Sequence, residues 1–156
     1  MVPAIIQHRQ CFALLFSVIT GIYAQVSQSA QEIRSQKKVV ALRALAWFYF
    51  YPGPLRDFQK GREYFEKARQ VLKNPTDAYS TFTLGYTHEQ WGLVEISNGF
   101  AMEGQSQIAR ARKYYSDLPG NFPLRKQALE LLDSKVNLAA QQTAISYTNE
   151  GSTDVR

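Results

Sequence analysis

Apolar residues along the chain recur mainly at spacings of three and four, the period of one helix face, and breaks rich in proline and glycine divide them into five runs. The first run, EIRSQKKVVALRALAWFYFY, places Ile33, Val40, Ala44, Trp47 and Tyr51 in step and predicts an amphipathic helix from Gln31, with those residues as its apolar face. Pro52 and Pro54 around Gly53 stop it. A second helix is predicted from Leu55 to Lys73. NPTD then offers Asn74 as an N-cap, Pro75 as first helical residue and Asp77 in the first turn of a third helix, Thr76 to Ser97. Ser97, Asn98 and Gly99 form the next turn. A fourth helix is predicted from Phe100 to Asp117, LPGNFP breaks it, and a fifth follows from Leu124 to Gln142. No alternating run is long enough for a sheet, so the chain is expected to be all-α, with one helical domain over 31–142. Residues 143–156 are polar without a period and are expected to be disordered.

The first 24 residues differ in kind. Arg9 and His8 occur there with no acid, followed by CFALLFSVITGIYA, Cys11 to Ala24. The run is shorter than the roughly 20 apolar residues that cross a bilayer, and it ends on the small Ala24. A positive start, a short apolar core and a small last residue are the pattern of a secretory signal. Cleavage after Ala24 and a periplasmic or secreted product are expected. Cys11, the only cysteine, precedes the apolar run instead of ending it, which argues against a lipoprotein; cleavage removes it, leaving no thiol chemistry.

Gly61 sits in the middle of the second helix, where glycine costs about 1 kcal/mol relative to alanine. Phe58, Gly61, Phe65, Ala68 and Leu72 form a single stripe. Small residues on such a stripe admit a neighbouring helix closely, and Gly61 reads as a contact point. In the fourth helix Gly104, Ile108 and Ala111 repeat Gly61, Phe65 and Ala68 at an offset of 43; at the same offset Phe82, Gly85 and Trp91 correspond to Val39, Leu42 and Phe48. Ala78, Gly85, Gly92 and Gly99 make a further ladder of small positions. A helix pair repeated at such a period is the mark of a solenoid.

DFQKGREYFEKA (Asp57 to Ala68) resembles the second helix of a tetratricopeptide repeat, with Gly61, Phe65 and Ala68 at the small, aromatic and small positions. LGYTHEQWG (Leu84 to Gly92) resembles the family's first helix, with Leu84 and Gly85 as its Leu-Gly pair and His88 where tyrosine is preferred. The resemblance covers Ile33 to Pro119. It departs in its spacing of 43 against 34, in the missing Leu-Gly pair of the first repeat and in the YPGP turn; longer repeats of the HEAT or armadillo kind lie nearer that period. It implies a short α-solenoid of two antiparallel helix pairs with a C-terminal capping helix. It also implies a scaffold that binds a protein or peptide on the face lined by the first helix of each pair, where Tyr49, Tyr79, Tyr86 and Gln90 are the nominated contacts.

The formal charge of +5 and pI of about 9.4 are mildly basic. Lys37 with Lys38, the Arg110, Arg112 and Lys113 group, and Arg125 with Lys126 read as solvated faces. No phosphate-binding loop, His-Glu-x-x-His or paired-cysteine spacing is present. His88 and Glu89 are adjacent and point about 100° apart on a helix. Glu63 and Glu66 stand among Arg62, Lys67 and Arg69 as ordinary ion pairs. The expectation is a protein that is not an enzyme and has no metal or cofactor. Nucleic acid is not an expected partner of a secreted chain. Membrane contact is expected only if the signal segment is retained, which would make the chain an anchored assembly factor. Five consecutive aromatics, Trp47 to Tyr51, divide between core and surface. A ligand-binding protein or small enzyme with an aromatic pocket between the Trp47 and Trp91 helices is the competing reading. With barely two repeats, docking on a partner or on a second copy is expected.

Overall fold

The computed structural model describes residues 30–150, and among them every regular element is an α-helix. The chain divides into a smaller unit, Met1–Ser35, and a larger one, Gln36–Arg156. Of the smaller unit only residues 30–35, the opening of the first helix, are described. The expected signal segment 1–24, the expected cleavage point after Ala24, Cys11 and residues 151–156 lie outside the described residues.

Helix α1 covers residues 30–50, α2 Phe58–Val71, α3 Ala78–Ser97, α4 Ala101–Ser116 and α5 Arg125–Glu150. The helices start where side chains satisfy their free N–H groups. Asp57 caps α2 by accepting from the Lys60 amide, 3.0 Å away. Asp77, not Asn74, caps α3: its carboxylate accepts from the Ser80 amide at 2.9 Å and the Ser80 hydroxyl at 2.6 Å. The helix therefore begins after Asp77, and Pro75 stays in the loop. At the other end of α3, Gly99 takes φ +88°. Its amide donates to the Ile96 carbonyl and the Phe100 amide to that of Glu95, closing the helix with a Schellman motif.

Successive helices run antiparallel. Phe50 and Ala46 of α1 pack on Phe65 of α2, while Val39, earlier in α1, meets Ala68 and Leu72, later in α2. The α3–α4 pair repeats this, with Gly92 beside Gly104 and Gly85 beside Tyr115. α5 then lies along α3 and α4, where Leu132 and Ala139 pack with Ile96 and Ile108. The buried positions of α2 and its C-cap are Gly61, Phe65, Ala68 and Leu72; those of α4 are Gly104, Ile108, Ala111 and Tyr115. The two sets are related throughout by the spacing of 43. The glycine at the head of each set marks a close approach. A Cβ on Gly61 would lie 2.5 Å from ring carbons of Phe50, and one on Gly104 would lie 2.5 Å from Ile96 and 2.7 Å from the Gly92 carbonyl oxygen.

Two further expectations are overturned. The face of α1 read from the sequence as its apolar face, Ile33, Val40, Ala44, Trp47 and Tyr51, is exposed. The core face is instead Val39, Ala46 and Phe50, with Leu42 packed beside them. These residues also keep a helical period, and Phe50 is the ring for which Gly61 leaves room. The polar sequence after Gln142 is not irregular at its start: α5 continues to Glu150. The Thr143 hydroxyl donates to the Ile96 carbonyl at 2.6 Å, tying this stretch to the C-terminal end of α3.

Candidate binding face

α3 lies between α1 and α5, and both run parallel to it. From α1, the Arg43 guanidinium sits over the Tyr86 ring, 4.6 Å from its centroid, and the Trp47 indole N–H donates to the Gln90 side-chain oxygen at 3.2 Å. Each link spans 43 residues, so one turn of α1 matches one turn of α3. From α5, the Lys135 ammonium donates to Glu89 at 2.7 Å. Between α3 and α5 lies a shallow groove of about 120 Å³, with Phe82, Tyr86, Leu131, Gln127 and Lys135 on its walls and Tyr115 of α4 in its floor.

Of the nominated contacts, Tyr79, Tyr86 and Gln90 share one side of α3 by their spacing. Tyr79 is exposed and meets Phe122 edge-on at 5.2 Å; Tyr86 is half-buried and parallel to Phe82. Tyr49 is not with them. It turns toward α2, stacking on Tyr64 at 5.5 Å under the Lys60 ammonium. Gly85 and the other nominated packing positions are all buried, on the faces turned to neighbouring helices.

α3 also buries charge. Glu89 is 1% exposed; one oxygen accepts from the Tyr115 hydroxyl at 2.8 Å and the other from Lys135. Burial, and then the Glu89 charge, push the Tyr115 hydroxyl far above its ordinary range, so it stays a donor. Glu95, equally buried, accepts from both arms of Arg62 of α2 at 2.7 and 2.8 Å and from the Trp91 indole at 2.9 Å. That fork raises the Arg62 pKa further. A depression of about 380 Å³ opens beside it, edged by Met102, Glu103 and Gln107. His88 is buried between two rings, parallel to Trp91 at 6.3 Å and to Tyr114 at 5.5 Å, and its Nδ1 lies 2.7 Å from the Gln107 side-chain oxygen. Trp91 stacks in turn on Phe65 at 5.6 Å. Burial holds the His88 pKa below its usual value.

The two buried carboxylates spend their oxygens on fixed donors from neighbouring helices, so they pin α2, α4 and α5 to α3. No group of three or more His, Cys, Asp or Glu residues able to hold a metal ion occurs among the described residues. Sequence reasoning missed these pins. The signal was there in Glu89 and Glu95, the two acids on a helix with no Asp, Lys or Arg, but their cations lie 46 and 33 residues away. No family model, curated protein or solved structure matches the chain.

Proposed function

We propose that the chain is a short α-solenoid of the tetratricopeptide kind, exported after removal of residues 1–24, and that it serves as a scaffold for a protein or peptide. The observation that carries the reading is the paired link across α1 and α3, Arg43 to Tyr86 and Trp47 to Gln90, which joins the first helices of two hairpins into one continuous face. Stacked hairpins of equal spacing create such surfaces, and these proteins use them for binding. The groove beside Tyr86 suits an extended side chain better than a substrate, because its carboxylate and ammonium are already paired with each other. The reading is of a binding protein, with Tyr79, Tyr86 and Gln90 as contacts.

The test is capture from the native compartment by the exported protein, compared with Tyr79→Ala/Tyr86→Ala. Loss of the captured partner with an unchanged melting temperature supports this face. Capture unchanged in the double variant overturns it. Mass analysis of the exported chain should give Gln25 as its first residue, and a retained N-terminus would overturn the export reading.

A further inference from the structure

α1 is apolar on two sides. Beyond the core side, Val40, Ala44, Phe48 and Tyr51 line the opposite side at helical spacing, with Leu45 on its flank, and none is covered: Val40 is 54%, Phe48 52% and Tyr51 72% exposed. The patch continues into the next loop through Leu55, also exposed. On the other edge of the fold, α5 sets its exposed Leu131 and Leu138 among charges of both signs, Lys126, Glu130 and Asp133. A terminal helix of a stacked array ordinarily needs a polar outer face.

The charge on this patch has one sign. From Gln36 to Arg56 there is no acidic residue. Arg43 is turned to Tyr86, and Arg56 is held by Phe58 and Asn98. The free cations are therefore Lys37, in line with Val40 and Ala44, and its neighbour Lys38, both exposed. Trp47 stands at the border of the patch, its indole N–H on Gln90. Lysines beside aliphatic residues, with aromatic residues alongside, are the composition of a helix that lies in a membrane interface. No helix among the described residues is long and apolar enough to cross a bilayer, so lying in the interface plane is the arrangement open to α1.

We propose that this outer face of α1 docks on an anionic lipid surface. The helix axis lies parallel to the bilayer, with Val40 and Phe48 entering the acyl boundary. Tyr51 sits at headgroup level, and Lys37 and Lys38 sit against lipid phosphates. The contact uses the side of α1 turned away from the core, and it holds whether or not the proposed scaffold face binds a partner.

Flotation of the full chain with vesicles of phosphatidylcholine and phosphatidylglycerol, beside phosphatidylcholine alone, tests this. Expected are preferential binding to the anionic vesicles, weakening as salt is raised, and a blue shift of the emission that Trp47→Phe abolishes. Lys37→Gln/Lys38→Gln should weaken binding about thirtyfold, each lysine being worth roughly fivefold at such a surface. Phe48→Ser/Tyr51→Ser should remove it, with helix content by circular dichroism unchanged because both positions are exposed; Val40→Ser is the second variant. Equal binding by every variant would assign the affinity to the preceding apolar segment and overturn the proposal. So would absence of binding, or a dimer in solution that these variants dissociate.

Discussion

Gly92 and Gly104 stand face to face where the main chains of α3 and α4 approach each other. A Cβ on Gly92 would lie 2.8 Å from the Gly104 carbonyl oxygen, and one on Gly104 would lie 2.7 Å from the Gly92 carbonyl oxygen. Each glycine makes room for the other's backbone. The obstacles on both sides include main chain, which cannot rotate aside, together with the side chains of Ile96 and Ile108.

Alanine at Gly104 is therefore expected to destabilise the protein by about 1–2 kcal/mol: overpacking costs 1–3 kcal/mol, and the gain in helix propensity returns less than about 1 kcal/mol. Gly92→Ala should behave alike. Gly61→Ala should lose less, because its closest obstacle is the Phe50 ring, with the Ala46 carbonyl oxygen at 3.3 Å. Gly120→Ala, with nothing within 4 Å of the added carbon, is the control and should shift stability by less than about 0.5 kcal/mol. Urea melts of the four variants check the order.

Gly99 acts through its own backbone. At φ +88° it closes α3, a conformation that costs an L-residue about 1–2 kcal/mol. Gly99→Ala should lose about that amount and Gly99→Asn less, since asparagine tolerates the left-handed region. Thermal melts of both variants decide it; equal losses would show that packing, not conformation, holds this position.

The Arg62–Glu95 fork gives a double-mutant cycle. Arg62→Met leaves a buried carboxylate with only the Trp91 indole, and should cost about 3 kcal/mol, the low end for breaking a buried pair, because Arg62 is itself partly exposed. Arg62→Met/Glu95→Met removes both charges and should recover most of that loss. A double variant no more stable than the single one would mean that the fork, rather than the relief of a stranded charge, supports the α2–α3 contact.

His88 sets a pH dependence with a definite sign. Its folded-state pKa lies below the unfolded value of about 6.5 because burial penalises the imidazolium and Arg110 of α4 and Arg69 of α2 add repulsion, which the Gln107 hydrogen bond and Glu66 only partly offset. The unfolded chain thus takes up its proton first. Stability present above about pH 6.5 should fall as the pH drops, by up to about 1.4 kcal/mol per unit until the folded pKa is reached. His88→Gln should flatten that decline in urea melts between pH 7 and 5, values chosen to bracket the unfolded pKa. An unchanged slope would place the titrating group elsewhere.

By itself the sequence determined the helical class, the order of the five helices and the core face of the second helix of each pair. α2 and α4 each carry one narrow apolar stripe, and a stripe with a single phase leaves a single face to bury. It did not determine which side of α1 is core, because VVALRALAWFYFY is apolar in two phases at once. Only the position of Gly61 on α2, opposite Phe50, selects Val39, Ala46 and Phe50 and leaves Val40, Phe48 and Tyr51 outside. The mutual role of Gly92 and Gly104 was likewise a tertiary decision, since a contact between two main chains leaves no mark in either helix's period. Tertiary structure alone also decided the fate of Glu89 and Glu95. A carboxylate is stable in the core only when a cation reaches it, and Lys135 and Arg62 arrive from helices that the local pattern cannot place beside α3.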